Sequence, residues 1–278
     1  MIDLDSIKDY RVLFIGDRIL DEYIYVRAIG KAVKENALSC NFVKKEYFYG
    51  GVWAASHHLY DFCHKVDYLS GPKDMVTTRM VDDVYLRKLF VVHEERPTNE
   101  RIDPVHIPGY DLVIVTDFGY GVMTKELIER VTREAKYLCV NAQTNAPNYG
   151  FNMITKYKRA DFVVVDELEA RLATHDKDSP IEDVILELGF PKIIVTRGTL
   201  GAVGYDGAFE HQDALTDKVV DTMGAGDAFL AVTSPYACAG ASMKDLLAIG
   251  NAAGAIKVGI VGHRSSVTKE ALRERLGN

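Results

Sequence analysis

The residues best suited to chemistry lie in a glycine-rich stretch at residues 221–229, with the sequence DTMGAGDAF. Small residues allow backbone N–H groups to turn inward and form an anion hole. The pattern predicts a helix that starts near Asp227, and the positive end of such a helix attracts phosphate. Asp227 could accept the proton of an attacking hydroxyl, or it could simply cap the helix. An anion hole beside a base suits phosphoryl transfer, in which positioning and charge stabilisation do most of the work.

Short runs of Val, Ile and Leu alternate with helix-like stretches along the chain, which predicts a doubly wound α/β fold. Continuous apolar runs are typical of strands buried on both faces of a parallel sheet. Polar residues or glycines follow nearly every run, where open α/β sheets bind ligands. The predicted strands are Arg11–Ile15, Val66–Leu69, Leu112–Val115, Leu138–Val140, Phe162–Val165 and Ile193–Val195. The predicted helices are Val52–Cys63, Thr124–Lys136, Glu167–Ala173, Ile181–Leu188, Ala228–Cys238 and Lys244–Val258.

Two segments, about 22–49 and 77–92, interrupt this alternation with strand-like sequence of mixed polarity and many aromatic residues. They predict a small separate β sheet that covers a site or meets a partner. Ordinary edge strands of the main sheet are the alternative. Residues 93–108 are polar and contain proline, which predicts a connection.

The composition indicates one α/β domain spanning residues 1–278. A net charge of −7 argues against a nucleic-acid-binding protein. The N-terminal residues are polar, and no apolar run approaches the roughly 20 residues that span a bilayer. The four cysteines are scattered without a C-x-x-C pair, which predicts reduced thiols. We therefore expect a cytoplasmic protein that binds neither membrane nor nucleic acid.

The DTMGAGD string resembles the D-T-x-G-A-G-D signature of the PfkB carbohydrate kinases, and the resemblance extends over nearly the whole chain. Residues 16–23 (GDRILDEY) resemble the G-D-x-x-L-D-x-Y opening of the kinase module of bifunctional heptose-phosphate kinase/nucleotidyltransferase enzymes. Residues 116–121 (TDFGYG) are similar to their S-D-Y-x-K-G element. Further similar segments are GG at 50–51, DELE at 166–169, VTRG at 195–198 and NAAGA at 251–255.

The resemblance implies a ribokinase-like three-layer α/β sandwich, with a central, mostly parallel sheet and a small β lid through which relatives often dimerise. It implies an ATP-dependent phosphotransferase acting on a sugar or sugar-phosphate hydroxyl. By the same resemblance, Asp227 is the catalytic base, and the amides of Gly224, Ala225 and Gly226 form the anion hole. The residues bordering ATP are Thr196, Gly198, Gly201 and Asn251. The residues facing the phosphate acceptor are Asp17, Asp21, Gly50, Gly51 and Asp117.

The resemblance also implies metal ions. Asp166 and Glu169 would organise Mg²⁺ and its waters. Asp221, carbonyls near Gly262 and the hydroxyl of Ser266 would hold a monovalent cation such as K⁺. For each of these carboxylates, a purely structural role is the alternative to a functional one. The side chain could simply end a strand or lie on a solvated helix face.

The sequence departs from the family pattern mainly on the acceptor side. Asp166 replaces the usual Asn, Ala54 stands where relatives carry Asn, and Tyr120 stands where the heptose enzymes have Lys. These departures leave two alternatives to a sugar kinase: a nucleoside or vitamin-like alcohol kinase, and a non-catalytic sugar- or nucleotide-binding relative. Few residues follow the helix expected beside the adenine, so we expect no nucleotidyltransferase half.

Overall fold

A computed structural model describes residues 2–94, 106–215 and 218–277, and a sheet of eight strands lies at its centre. Six strands are parallel and occur in the order β9-β8-β7-β1-β4, with β10 beside β9. These six confirm the strands predicted from the apolar runs. The strands are β1 (Arg11–Gly16), β4 (Lys65–Leu69), β7 (Leu112–Asp117), β8 (Leu138–Ala142), β9 (Phe162–Asp166), β10 (Ile193–Thr196), β11 (Ala202–Tyr205) and β12 (Phe209–Gln212).

Strands β11 and β12 form an antiparallel hairpin at the edge of this sheet and were not predicted. Each is only four residues long, and β12 is largely exposed and polar. A strand of this kind carries little apolar periodicity, so the sequence pattern does not reveal it.

Helices cover both faces of the main sheet. Val12 and Phe14 of β1 pack into one apolar core with α1, α5, α6 and α7, whereas Leu13 and Ile15 pack into a second core with α2, α3 and α4. This alternation confirms the three-layer sandwich. The helices are α1 (Val52–His57), α2 (Lys125–Glu134), α3 (Glu167–Thr174), α4 (Ile181–Leu188), α5 (Ala225–Cys238), α6 (Met243–Lys257) and α7 (Lys269–Leu276).

Three helices differ from the sequence-based expectation. The first, α1, ends at His57 because the chain tightens there into turns, with the N–H groups of His58 and Leu59 donating three residues back. Helix α5 begins at Ala225, earlier than predicted. Helix α7 was not predicted because its sequence is mostly charged and only Leu272 is buried. None of the helices in the described ranges is long and apolar enough to cross a bilayer.

The two segments predicted as a lid form a separate four-stranded sheet, in the order β3-β2-β5-β6. This finding rejects the alternative that they are edge strands of the main sheet. The strands extend somewhat beyond the predicted bounds, and β6 reaches into the expected connection, most of which (95–105) lies outside the described residues. The strands are β2 (Arg18–Lys31), β3 (Leu38–Gly51), β5 (Met75–Asp82) and β6 (Lys88–Glu94).

Gly250 of α6 packs against the Phe229 ring of α5, and this contact predicts an effect on stability. A Cβ added at Gly250 would lie 2.2 Å from Cζ of the Phe229 ring. Overpacking of this kind costs about 1–3 kcal/mol, more than the roughly 1 kcal/mol that alanine gains over glycine in a helix. We expect Gly250→Ala to lower the midpoint of urea unfolding.

Gly254→Ala is the matched control for that measurement, one turn further along the same helix. A Cβ at Gly254 meets nothing within 4 Å. This variant should therefore be as stable as the wild type or slightly more stable. Equal midpoints for the two variants would contradict the close approach of α5 and α6.

Candidate functional site

The candidate site lies at the carboxyl edge of the parallel strands, where the lid sheet meets the main sheet. Strand β1 continues through Asp17 directly into β2 of the lid. Strand β3 returns through Gly51 directly into α1. The lid is therefore attached at the edge where open α/β sheets bind ligands.

Asp227 lies at the centre of this edge, on the first turn of α5, and its side chain is buried. Gly224 precedes the helix with a φ of 71°, a left-handed conformation that glycine adopts without strain. Oδ1 of Asp227 accepts a hydrogen bond of 2.6 Å from Nε2 of Gln143. Burial raises the pKa of Asp227 to about 6, although the Gln143 hydrogen bond and the charge of Lys257 oppose the shift. This carboxylate is therefore mainly ionised at neutral pH and can accept a proton.

The early start of α5 changes the expected role of two residues. Asp227 makes no side-chain capping bond, so it is not the helix cap that the sequence left open. The N–H of Ala225 donates to the carbonyl of Thr222 at 3.3 Å, a long bond that already occupies one of the three amides expected in the anion hole. A Cβ at Gly226 would meet nothing within 4 Å, so open space adjoins the backbone there.

Two cavities meet at residues 222–227. The helix-side cavity, with about 790 Å³ of empty space, lies between the loop after β10 and α6. It brings together all four residues expected to border ATP: Thr196, Gly198, Gly201 and Asn251. The lid-side cavity, with about 750 Å³, lies beneath the lid sheet and contains Asp227. Thr222 lines both cavities.

The lid-side cavity includes some of the residues expected to face an acceptor. Asp21 lines it, and Oδ1 of Asp21 accepts hydrogen bonds from Nη2 and Nε of Arg79 at 2.8 and 3.1 Å. Burial raises the pKa of Asp21, although the charge of Arg79 opposes that shift. Gly51 also lines the cavity, with a φ of 63°, and a Cβ there would lie 2.2 Å from the carbonyl oxygen of Asp17. A Cβ at Gly50 would lie 2.9 Å from Oδ2 of Asp21.

Asp17 and Asp117 are buried, and their oxygens are engaged by the protein itself. Asp17 accepts backbone N–H bonds from Phe118, Tyr120 and Val122 at 3.1–3.3 Å. Burial and the charge of Asp117 raise the pKa of Asp17 to about 6. These bonds fold the loop after β7 beneath the lid-side cavity.

Asp117 has its own set of partners. Its Oδ2 accepts from the hydroxyl of Tyr157 at 2.6 Å and pairs with Nζ of Lys156 at 2.5 Å. Its Oδ1 accepts from the N–H of Gly119 at 3.0 Å. Both aspartates therefore hold the 118–120 loop, of which Phe118 and Tyr120 line the cavity, and direct contact of the aspartates with an acceptor stays a prediction.

Asp166 and Glu169 form a reciprocal capping box at the start of α3. Each carboxylate accepts the backbone N–H of the other residue, at 2.7 and 2.9 Å. Glu169 also accepts the N–H of Thr144 at 3.0 Å. Burial and the charge of Asp166 raise the pKa of Glu169 to about 8. Among the described residues no group of three or more His, Cys, Asp or Glu side chains could hold a metal ion alone, so Mg²⁺ here would need other oxygen ligands.

Asp221 lies at the other end of the 222–227 loop, where a monovalent cation was expected. Its Oδ2 accepts the N–H of Gly262 at 3.0 Å, and its Oδ1 accepts the N–H of Met223 at 3.2 Å. The backbone N–H donors and the charge of Lys88 lower the pKa of Asp221, although burial opposes them. In the described part of the chain no hydrogen bond joins Ser266 to this cluster.

Sequence reasoning missed several residues that the fold brings to the site. Gln143 directly follows β8, at the carboxyl edge of the sheet. Asp17 and Asp117 were predicted as site residues because they end strands at this edge, and the same rule could have indicated Gln143. Lys257 is a lone lysine in a run of small apolar residues, and its complete burial could have been suspected from that contrast. Arg79, Lys88 and His263 reach the lid-side cavity through the lid sheet and the loop after α6. Nothing in the sequence indicates that these three residues lie in the same cavity as Asp227.

The chain is similar in sequence to several bifunctional proteins. The chain is 31% identical over 179 residues to the "Bifunctional protein HldE" of Desulfatibacillum aliphaticivorans, covering 61% of this chain and 36% of that protein. It is 24% identical over 322 residues to the protein of that name from Rhodopseudomonas palustris, covering 98% of this chain and 64% of that protein. The chain thus spans between about a third and two thirds of the length of these relatives.

Solved structures share the fold at low sequence identity. The ribokinase of Thermotoga maritima superposes with a TM-score of 0.75 at 18% identity, covering 97% of this chain and 100% of that one. Arabidopsis thaliana ribokinase, solved with ribose and ATP, gives a TM-score of 0.70 at 12% identity, covering 97% and 99%. Residues 72–270 match the sequence family described as "pfkB family carbohydrate kinase". Because this match covers most of the chain and includes the 221–229 loop, the protein belongs to the pfkB family of carbohydrate kinases.

Proposed function

We propose that this protein transfers the γ-phosphoryl group of ATP to a hydroxyl of a sugar or sugar phosphate. The observation that carries the proposal is the meeting of two cavities at residues 222–227, with the buried Asp227 carboxylate on the lid side. A donor in one cavity and an acceptor in the other would then react across the anion hole. Such positioning is the main requirement of phosphoryl transfer.

The helix-side cavity suits the nucleotide. Its wall is mostly apolar and includes Phe229, Val258 and Ala255, which offer a surface for a flat base. Asn251 and Thr196 supply polar groups on the same wall. Gly226 lines the end nearest Asp227, so a triphosphate would extend toward the N-terminus of α5.

Asp227 would serve as the base for the acceptor hydroxyl. A sugar hydroxyl is a poor nucleophile at neutral pH, so its proton must leave as the bond to phosphorus forms. Gln143 fixes one oxygen of Asp227 through its 2.6 Å hydrogen bond and leaves the other oxygen available to the acceptor. The amides of Gly224 and Gly226 would stabilise the charge that develops on the transferring group.

Mg²⁺ is the proposed metal cofactor. Asp166 and Glu169 would hold Mg²⁺ through its water ligands, because both oxygens of Glu169 already accept backbone N–H groups. The direct ligands would be water and nucleotide phosphates. Bound Mg²⁺ would neutralise the phosphate charge during transfer. Because ATP is the proposed donor, we also propose a cytoplasmic location.

The lid-side cavity fits a hydroxyl-rich acceptor. Asp21, Gln143 and Asn145 line it with hydrogen-bonding groups, and Arg79 and Lys88 bring positive charges that suit an acceptor already carrying a phosphate. Tyr120 also lines the cavity, in place of the lysine of the heptose enzymes. The positive charges favour a sugar phosphate as the acceptor, and the Tyr120 departure favours an analogue of heptose phosphate over heptose phosphate itself.

A screen of phosphoryl transfer tests this proposal. Purified protein, ATP and Mg²⁺ are incubated with a panel of sugars, sugar phosphates, nucleosides and vitamin-like alcohols, and ADP and the phosphorylated product are both measured. We expect a sugar or sugar phosphate to give turnover that stops when EDTA removes Mg²⁺. Turnover only with a nucleoside or vitamin-like alcohol would replace the acceptor, and binding without turnover of any compound would favour the non-catalytic alternative.

Replacing Asp227 tests its role as the base. Asp227→Asn keeps the size of the side chain but removes its ability to take the proton, so kcat should fall by about 10²–10⁴. The dissociation constant of a non-hydrolysable ATP analogue, measured by calorimetry, should change far less because the Gly224–Gly226 backbone remains. A folded variant that binds the analogue and keeps near-normal kcat would show that another group accepts the proton.

Gln143→Leu should change the pH dependence of catalysis. The Gln143 N–H stabilises the charged form of Asp227, so its loss should raise the Asp227 pKa above its value of about 6. A hydrogen bond to a charged group is worth about 1.5–3 kcal/mol, which corresponds to about one to two pH units. The acid limb of the kcat/KM profile should therefore move to higher pH by about that amount.

Asn145→Leu is the control for the pH profile. Asn145 lines the same cavity, but its side-chain Nδ2 donates to the Phe118 carbonyl and not to Asp227. This variant can alter KM but should leave the acid limb in place. An unmoved limb in Gln143→Leu, or an equal movement in both variants, would argue against titration of Asp227.

The outer face of the lid suggests a homodimer. Strand register places Tyr47 and Val92 in one row across the sheet and Phe90 in the next row, and all three are exposed. Exposed apolar side chains of this kind suit burial against a second copy. Light scattering should give a dimer mass for the wild type and a lower mass for Phe90→Glu. Leu186→Glu, on the exposed side of α4, should leave the mass unchanged, and a monomeric wild type would contradict the proposal.

A further inference from the structure

Lys257, the last residue of α6, is completely buried beside the 222–227 loop. Its Nζ donates hydrogen bonds of 2.6 Å to the carbonyl of Met223 and 2.7 Å to the carbonyl of Gly262. The two carbonyls belong to different loops, one before α5 and one after α6. The ammonium group therefore joins the loop that forms the anion hole to the segment that follows the last turn of α6.

Two carboxylates flank this group. Asp221 and Asp227 both favour the charged form of Lys257 and oppose the effect of burial, which lowers its pKa. Asp221 also accepts the N–H groups of Met223 and Gly262, the same two residues whose carbonyls bind Nζ. Each of these residues is thus held by its N–H to a carboxylate and by its C=O to the ammonium. An arrangement this complete leaves few polar groups for another ligand.

The sequence resemblance implied a monovalent cation at this position, held by Asp221, carbonyls near Gly262 and Ser266. The residues do not fit such an ion, because Nζ of Lys257 lies within hydrogen-bonding distance of the carbonyls that would bind it. The lysine side chain also packs closely against the loop, since a Cβ at Gly224 would lie 3.3 Å from Cε of Lys257. A potassium ion could bind only by displacing a buried ammonium from two short hydrogen bonds.

We propose that the ammonium of Lys257 is a built-in cation that takes the place of K⁺ beside the anion hole, so that this protein needs no monovalent cation. Lys257 is a positioning residue: it fixes the Met223 carbonyl and thereby the direction of the Gly224 amide, which belongs to the same planar peptide group. Its effect on phosphoryl transfer rests on the proposed function. Its effect on the stability and cation response of the fold does not.

Thermal unfolding in different chloride salts tests the proposal without requiring turnover. At equal ionic strength, the wild type should have the same Tm in potassium, sodium and choline chloride. Lys257→Ala removes the ammonium and opens space, so its Tm should be lower in choline chloride and should be raised specifically by potassium or ammonium ions. Lys257→Met fills the space with an uncharged chain, so it should be destabilised with no cation-specific recovery.

Lys192→Met is the matched control, because Nζ of Lys192 also pairs with a carboxylate, Asp206, and donates to a carbonyl, that of Ala241. It lies next to the amino end of β10, at the opposite edge of the main sheet. Its Tm should show no preference among the salts. A potassium-specific response in Lys192→Met would assign the effect to bulk salt and overturn the proposal.

The same variants give a second measurement once an acceptor is known. Wild-type kcat should be unchanged when potassium is replaced by choline, and Lys257→Ala should lose at least about tenfold in kcat/KM, with partial recovery in potassium or ammonium. A potassium-specific rise in wild-type Tm or kcat would overturn the proposal, even if Lys257→Ala does not fold. A cation-specific Tm response confined to Lys257→Ala would support it even if no acceptor is phosphorylated, so the two proposals can fail separately.

Discussion

The Asp227 carboxylate is buried at the junction of the two cavities, and a buried charge is unfavourable unless polar partners compensate. The compensation comes from three directions. Gln143 donates a short hydrogen bond from the end of β8, the N-terminus of α5 adds positive potential, and the charge of Lys257 comes from the end of α6. These contributions hold the pKa near 6, so a proton can be accepted at neutral pH. Elements from the sheet and from one helical layer must therefore meet at this residue.

The lid covers the carboxyl edge because its strands β2 and β3 connect directly to elements of the main layers. The chain passes from β1 through Asp17 into β2, and from β3 through Gly51 into α1. The buried face of the lid brings Asp21 and Arg79 over Asp227, whereas the outer face carries exposed aromatic residues. One face of this sheet thus forms the roof of the lid-side cavity.

Much of this arrangement could be predicted because it rests on local patterns. Continuous apolar runs identified all six parallel strands, and polar residues after those runs identified the edge that carries the site. Mixed polarity identified the lid as a departure from that pattern. The glycine turn before Asp227 indicated the start of a helix, although that helix begins at Ala225 and places Asp227 on its first turn.

The remaining features depend on contacts between distant residues, which a sequence pattern does not contain. Arg79 meets Asp21 through the register of β2 with β5, and Gln143 meets Asp227 across 84 positions of the chain. The fold also explains why the monovalent-cation expectation does not fit, since it turns Lys257 inward onto two carbonyls. The short β11–β12 hairpin and the charged α7 lack a clear pattern of apolar residues, so the sequence did not predict them.

The most direct test of this account is a crystal structure of the protein with Mg²⁺ and a non-hydrolysable ATP analogue. The account predicts that the base lies in the helix-side cavity near Asn251. It also predicts that the γ-phosphate lies against the amides of Gly224 and Gly226, facing the lid-side cavity and Asp227. A nucleotide bound elsewhere, or one whose triphosphate points away from Gly224–Gly226, would contradict the claim that phosphoryl transfer occurs across this loop.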